Sequence, residues 1–263
     1  MRIIAQAEAV QAMFSLCAQA TSRVRMRLRQ AAAALPSDCP LCGMAARGGN
    51  LCPGCAADVL ADAAHVARCP RCWLALPAGR AACPDCAVRP PAFARAVCAF
   101  DYLPPADALV HQLKAGMRLA RAALLAQLIA QAVGRALPPL PAPTALVPVP
   151  AATASLRKRG FNPAGEIARA LGRELGLPVV PWLRRTREQG RQTHQGRLGR
   201  RRGARGLYAC VRPVSGCVAV VDDVMTTGST MDAAARALID AGADSVLALA
   251  AARTPYQSAR LAR

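Results

Sequence analysis

The chain has 263 residues, 54% of them apolar, which is enough for one large domain or for a medium-sized domain with a small one. It contains no run of about 18 uncharged apolar residues, so no membrane-spanning helix is predicted. The formal charge of +19, nearly all of it from arginine, predicts contact with phosphates on nucleic acid, an acidic membrane or a nucleotide-like substrate. A biased codon composition is the alternative explanation. Aromatic residues form only 3% of the chain, which disfavours a base-stacking surface.

Residues 1–37 are predicted to form an N-terminal basic helix that ends near Pro36. The segment has a weakly apolar middle, as secretory signal peptides do. Glu8 and the arginines from Arg23 to Arg29 do not fit that class of segment. We therefore expect an amphipathic helix and a cytoplasmic protein.

Four Cys-x-x-Cys pairs dominate residues 38–92, and they fall into two quartets. Nine residues separate the two pairs of the first quartet and ten those of the second, so the segment is an internal repeat. Two pairs complete the tetrahedral thiolate shell of a structural Zn²⁺, which supplies folding free energy to a segment too small for its own core. We predict a double zinc ribbon with two zinc ions. The first quartet is Cys39, Cys42, Cys52 and Cys55, and the second is Cys69, Cys72, Cys83 and Cys86.

Other chemistries also use paired cysteines. Disulfides need an oxidising compartment, and the chain carries no good export signal, so they are not expected. An iron–sulfur centre and a crossed pairing, first pair with third, remain open. His65 lies between the quartets and is interpreted as a surface residue. The cysteines without the spacing are interpreted as apolar positions; they are Cys17, Cys98, Cys210 and Cys217.

Strands and helices alternate through residues 93–263, which predicts an α/β fold with a mostly parallel sheet. Gly116 is expected to break a long helical stretch, and Gly176 to cap a later helix. Residues 184–205 are rich in arginine and glycine and are predicted to form an exposed loop. Strands are predicted around 96–102, 144–150, 178–180, 217–221 and 245–252, and helices within 106–137, 162–175 and 230–243.

The most informative stretch is VVDDVMTTGST, at residues 220–230. A buried strand is predicted to end at Val221, so that Asp222 and Asp223 lie at the carboxyl edge of the sheet, where open α/β sheets bind ligands. Two adjacent carboxylates accept hydrogen bonds from vicinal hydroxyls, such as those of a ribose.

The turn that follows is suited to a phosphate monoester. Its glycine lets the backbone approach closely, and free N–H groups with the positive end of the next helix form an anion site. Ser229 or Thr230 is expected to cap that helix. The predicted ligand is therefore a ribose 5-phosphate. The phosphate-binding residues are Thr226, Thr227, Gly228, Ser229 and Thr230.

Two familiar phosphate motifs are absent from this stretch. It has no Gly-Lys-Ser/Thr at the spacing of a Walker loop and no Gly-x-Gly-x-x-Gly turn. The alternative interpretation is a strand and a well-capped helix without a ligand.

The stretch resembles the phosphoribosyl pyrophosphate (PRPP) motif of type I phosphoribosyltransferases. With four cysteine pairs ahead of it, the chain resembles the ComF family, competence-associated proteins linked to DNA uptake. LRKRGFNPAGEIARAL at 156–171 and QGRLGRRRGARGLY at 195–208 are similar to two further segments of that family. Pro163 and Gly203 depart from its usual pattern.

The resemblance implies a phosphoribosyltransferase-like domain at residues 93–263 that binds PRPP with Mg²⁺. The basic residues after the Val-Pro-Val-Pro strand would meet pyrophosphate, and the loop from Arg184 to Arg205 would close over it. An ordinary solvated surface is the alternative for that loop. The basic residues are Arg157, Lys158 and Arg159.

Two functions follow from these patterns. The first is a PRPP-binding or ribose-5-phosphate-binding protein that handles imported single-stranded DNA, with competence-machinery proteins as possible partners. Exposed arginines near the cysteine pairs would then contact the DNA backbone; they are Arg47, Arg68, Arg71, Arg80 and Arg89. The second is an active phosphoribosyltransferase that uses an unknown acceptor.

Overall fold

The computed structural model describes residues 31, 34–64, 66–76, 79–80, 83–136, 141–186 and 206–255, with 61–64 as backbone only. The predicted N-terminal helix lies almost wholly outside these residues, and Pro36 already starts a strand. The chain divides into two compact units, Met1–Cys55 and Ala56–Arg263. Each unit holds one cysteine quartet. The boundaries at 37/38 and 92/93 remain predictions.

Eight strands and seven helices are assigned within the described residues. The strands are β1 Pro36–Asp38, β2 Ala45–Arg47, β3 Arg95–Asp101, β4 Leu146–Pro148, β5 Leu183–Arg185, β6 Tyr208–Cys210, β7 Cys217–Met225 and β8 Ser245–Arg253. The helices are α1 Pro53–Ala64, α2 Pro84–Val88, α3 Asp107–Lys114, α4 Ala120–Arg135, α5 Thr153–Arg159, α6 Pro163–Leu175 and α7 Ser229–Ile239.

In the first unit, β1 and β2 form an antiparallel hairpin with Ser37 opposite Ala46. The Cys39 pair occupies its turn, where the Cys39 amide donates to the Met44 carbonyl at 2.8 Å. Gly43 has a φ of 75°, which a residue with a side chain rarely adopts. The hairpin thus presents its two thiols on a tight turn.

A four-stranded parallel sheet in the order β3–β8–β7–β4 forms the core of the second unit. β8 is buried from Val246 to Arg253, as expected for a parallel strand covered on both faces. The predicted α/β fold is confirmed. The strand predicted at 178–180 is reduced to one bridge between Val179 and Leu146.

Helices pack along this sheet through small apolar residues. α4 contacts β3 and β8, α6 contacts β4 and β7, and α7 contacts β7 and β8. The break predicted at Gly116 is confirmed, since α3 ends at Lys114 and α4 starts at Ala120. The cap at Gly176 is also confirmed, with a φ of 68°. None of the described helices is long and apolar enough to cross a membrane.

Gly172 allows α6 to pack closely against the segment 177–179 that follows it in the chain. A Cβ at this position would lie 2.6 Å from Val179 Cγ2 and 2.7 Å from the Leu177 carbonyl oxygen. We therefore expect Gly172→Ala to destabilise the protein by about 1–3 kcal/mol, measured by thermal unfolding. Gly134→Ala is the matched control, because no atom lies within 4 Å of that Cβ and alanine favours a helix. Equal melting temperatures for the two variants would contradict this account of the packing.

Candidate functional site

The acid pair lies inside a strand rather than after it. The prediction that the strand ends at Val221 is wrong, because β7 keeps its pairing with β8 as far as Met225 opposite Arg253. Asp222 pairs with Ala250 in this register. The Asp223 amide donates to Asp222 Oδ1 at 2.8 Å. The two carboxylates are therefore held by the sheet itself.

Asp223 forms an ion pair that the sequence did not indicate. Its Oδ1 lies 2.7 Å from Nζ of Lys114 at the end of α3. Asp223 is only 8% exposed, so its carboxylate is largely shielded from water, whereas Lys114 is half-buried. A usable signal existed, because Lys114 is one of only two lysines among 34 basic residues. Lys114 supplies the positive charge that makes ionisation of this buried carboxylate tolerable.

Asp222 has no ion-pair partner among the described residues, so ionisation of its carboxylate is the more costly of the two. Burial, and then repulsion from the Asp223 carboxylate, raise the pKa of Asp222 to about 7, against the opposing pull of Lys114. Its neighbour Asp223 already has a cationic partner. Asp222 is thus the acid that gains most from a ligand that donates hydrogen bonds.

Tyr102 and His111 lie on the same side of the acids as Lys114. The Tyr102 hydroxyl and His111 Nε2 are 3.0 Å apart. Burial raises the pKa of Tyr102, and Lys114 and Asp223 both act on it electrostatically. His111 is exposed at the surface.

Residues 226–230, predicted to bind phosphate and called the phosphate loop below, turn the chain from β7 into α7. Gly228 caps the helix with a φ of 77°, so the expected cap at Ser229 or Thr230 is wrong. The left-handed conformation at Gly228 starts the helix one residue early, which moves both hydroxyls into its first turn. The Thr227 hydroxyl instead accepts from the Ser229 amide at 3.3 Å and lies 2.9 Å from Ser229 Oγ.

This loop leaves several backbone donors available. Among the described residues, the amides of Thr226, Thr227 and Gly228 have no recorded acceptor. The next amides belong to the first turn of α7, which has no acceptors within its own helix. Such a concentration of N–H groups at a helix start can bind an anion.

The three basic residues predicted to meet pyrophosphate lie on α5, which follows β4, the neighbour of β7 in the sheet. The Val149 amide donates to the Val221 carbonyl at 2.9 Å, which fixes the start of this segment beside the acid strand. Arg157 and Lys158 are exposed and Arg159 is half-buried. The described residues include no ion pair between them and the acids. They share the sheet edge with the acid pair without touching it.

The arginine-rich loop lies outside the described residues from 187 to 205, together with His194. Its two ends form the β5–β6 hairpin, in which Arg185 pairs with Tyr208. Burial raises the pKa of the Tyr208 phenol to about 12, with a further contribution from the Asp222 charge. Tyr208, at the base of this loop, therefore lies within electrostatic range of the Asp222 carboxylate.

The cysteines assemble into two groups that follow chain order, which removes the crossed pairing. In each group the four sulfurs lie within 4.8 Å of one another. The Cys42–Cys52 and Cys72–Cys83 sulfurs are 3.6 and 3.8 Å apart. A tetrahedral ion with Zn–S bonds of about 2.3 Å requires edges of about 3.8 Å, whereas a disulfide requires about 2.05 Å. Both quartets fit a zinc ion.

The second quartet is attached firmly to the sheet. Arg68 donates two hydrogen bonds, of 2.7 and 3.1 Å, to the carboxylate of Asp101 at the end of β3. The Ala96 amide donates to the Arg71 carbonyl at 2.8 Å. Arg68 is therefore a structural residue, which corrects its assignment to DNA. Arg71, Arg80 and Arg89 are exposed.

A cavity of about 440 Å³ lies between the second quartet and the start of α7. Thr227, Gly228 and Ser229 line one side, with Cys72 and Cys86 on another. Asp232 also lines it, but Asp222 and Asp223 do not, so the cavity is separate from the predicted ribose position. Arg89 and Arg236 also face it.

Comparison with characterised sequences finds relatives with one shared name. A Salmonella typhi protein named DNA utilization protein YhgH is 36% identical over 231 residues, which cover 84% of this chain and 98% of the relative. Proteins of that name from Salmonella typhimurium and Escherichia coli K12 are 34% and 31% identical over 229 residues, with the same coverage. No protein-family profile and no solved structure matches the chain.

The raised pKa of Asp222 predicts a pH-dependent stability. In the folded protein the carboxyl of Asp222 has a pKa of about 7. In the unfolded chain an aspartate has a pKa of about 3.9. The contribution of Asp222 to the stability of the wild type should therefore fall as pH rises from about 4 to 7. Asp222→Asn keeps the acceptor for the Asp223 amide and removes the charge. We expect it to raise the melting temperature at pH 8 by at least roughly 2–4 °C, and by less at pH 5.

Asp223→Asn is the matched control in these calorimetric scans. It removes the partner of Lys114, so it should not raise the melting temperature at pH 8. An equal gain for both variants, or the same gain for Asp222→Asn at both pH values, would contradict this assignment of the charges.

Proposed function

The chain belongs to the family of the DNA utilization protein YhgH, and we propose that it acts in DNA utilization through a site for a ribose 5-phosphate group. The observation that carries the proposal is the adjacency of two unlike binding surfaces. An acid pair, with Asp223 buried and Asp222 half-buried, precedes by only two residues a loop whose amides have no acceptor among the described residues.

The acids are suited to hydroxyl groups and unsuited to phosphate. Asp222 and Asp223 can each accept a hydrogen bond from a vicinal diol such as that of ribose. The phosphate loop offers Thr226, Thr227, Gly228, Ser229 and Thr230 to the 5-phosphate. A ligand that joins a diol to a phosphate monoester satisfies both surfaces at once.

PRPP is the proposed form of this ligand, with Mg²⁺ to neutralise its pyrophosphate. Arg157, Lys158 and Arg159 share the sheet edge and remain candidates for that diphosphate. Proximity of the β5–β6 hairpin to Asp222 supports a loop that covers the bound group. Phosphoribosyl transfer to an acceptor is the second candidate, and it would release pyrophosphate from the same complex.

Zinc is the metal that we assign to both quartets. Four thiolates without an open position are typical of structural zinc. Such thiolates persist in a reducing compartment, which supports a cytoplasmic location.

Single-stranded DNA is the proposed macromolecular partner. Arg71, Arg80 and Arg89 are exposed around the second quartet and carry charge without recorded carboxylate partners among the described residues. Arginine contacts to the backbone would bind DNA without regard to sequence. Partners in the competence machinery remain a prediction.

Calorimetric titration of zinc-loaded protein with PRPP and Mg²⁺ tests the ligand. We expect binding, and a loss of about 10-fold or more for Asp223→Asn because a charged acceptor is removed. Asp240→Asn is the matched control, since it removes an exposed carboxylate just beyond the C-terminal end of α7. The proposal fails if the wild type shows no heat with PRPP. A pyrophosphate assay on the same samples separates binding from transfer.

Fluorescence anisotropy with a labelled single-stranded oligonucleotide tests the DNA partner. Affinity should fall steeply between 50 and 200 mM salt, and Arg71→Ala should lower the log–log salt slope by about 0.7. Arg173→Ala removes an exposed arginine from α6 and should leave that slope unchanged. Absence of binding even at 50 mM salt would rule out a direct DNA contact.

A further inference from the structure

Arg253 is a fully buried cation at the end of β8, with only 2% of its surface exposed. Its guanidinium donates to four main-chain carbonyls, and no described carboxylate pairs with it. A buried charge without a counter-charge is costly, so its position calls for an explanation. The four acceptors are Cys72, Met225, Thr226 and Thr254.

Two of these acceptors determine how the phosphate loop is oriented. Nη1 of Arg253 bonds to the Met225 carbonyl at 2.9 Å and also to the Thr226 carbonyl. In a trans peptide the next N–H points away from the carbonyl. Arg253 therefore turns the amides of Thr226 and Thr227 away from itself. These are two of the donors that have no recorded acceptor.

The third acceptor belongs to the second cysteine quartet. Nε of Arg253 donates to the Cys72 carbonyl at 3.0 Å. Four thiolates around Zn²⁺ carry a formal charge of −2, and the hydrogen bond to the Cys72 carbonyl holds the Arg253 guanidinium beside one of these ligands. The missing counter-charge is therefore supplied when the quartet holds its ion.

We propose that Arg253 is a positioning residue that couples the second quartet to the phosphate loop. Metal in the quartet fixes the Cys72 carbonyl and balances the Arg253 charge, and Arg253 then holds the loop amides in the orientation that binds phosphate. The inference rests on the proposed ribose 5-phosphate site. Because coupling is reciprocal, phosphate in the loop must strengthen zinc binding by the same factor that zinc strengthens phosphate binding.

Chelator competition measures the zinc affinity of each quartet in the full chain, with and without saturating ribose 5-phosphate. Cys42→Ser identifies the transition that belongs to the first quartet. We expect ribose 5-phosphate to raise the zinc affinity of the second quartet by about 5-fold or more and to leave the first unchanged. Calorimetry on protein with the second quartet filled or emptied should give the same factor for ribose 5-phosphate.

Arg253→Lys keeps the charge and loses the forked donor, so the coupling factor should fall towards one while both zinc ions remain bound. Arg173→Lys, at an exposed position on α6, is the matched control and should keep the wild-type factor. The wild-type experiment stands by itself if Arg253→Lys does not fold.

The outcomes separate the two proposals. If the wild type does not bind ribose 5-phosphate, the proposed function fails and the coupling fails with it. If it binds but the zinc affinity of the second quartet does not change, or both quartets respond equally, the coupling is wrong and the proposed function stands.

Discussion

The parallel register of β3, β8 and β7 is the constraint from which the rest of the second unit follows. It sets Asp101 opposite Arg253 and Arg253 opposite Met225, so that three strands end at one level with chemically different residues. Asp101 pairs with Arg68 in the segment of the second quartet, and Met225 leads into the phosphate loop. Arg253 lies on the strand between them and donates to the Cys72 carbonyl of the second quartet and to the Met225 carbonyl. A shift of one residue in either pairing would reverse the side chains and separate the second quartet from the phosphate loop.

The charges at this sheet edge are balanced only in part. Asp223 has Lys114, whereas Asp222 has a pKa of about 7 and no cation of its own. Arg253 is satisfied by carbonyl oxygens and has no described carboxylate partner. Stability alone does not account for two such groups at one edge of the sheet, because apolar residues of similar size would cost less. Incomplete pairing of this kind is typical of sites whose remaining partners are ligands.

The features that could be predicted from the sequence are those that depend on the spacing of a few neighbouring residues. The two quartets, the helix break at Gly116 and the cap at Gly176 each depend on a few adjacent residues, and the structure contains all of them. The end of β7 was misplaced because two aspartates are unusual in a buried strand. Their tolerance there depends on Lys114, which is more than a hundred residues away in the chain. Arg253 was missed for the same reason, since its partners Cys72 and Met225 come from two segments distant from it in the chain.

The two quartets share their spacing but differ in their surroundings. In the first, Cys42 is exposed and only Cys39 is buried, on a small two-stranded hairpin. In the second, Cys69, Cys72 and Cys83 are buried, and the segment is bonded to β3 and β8. A metal at the first quartet therefore orders mainly its own hairpin, whereas a metal at the second also fixes groups that touch the sheet. The repeated spacing of the quartets thus does not imply equal roles. The structure that each metal ion stabilises depends on the contacts of the segment that carries its ligands.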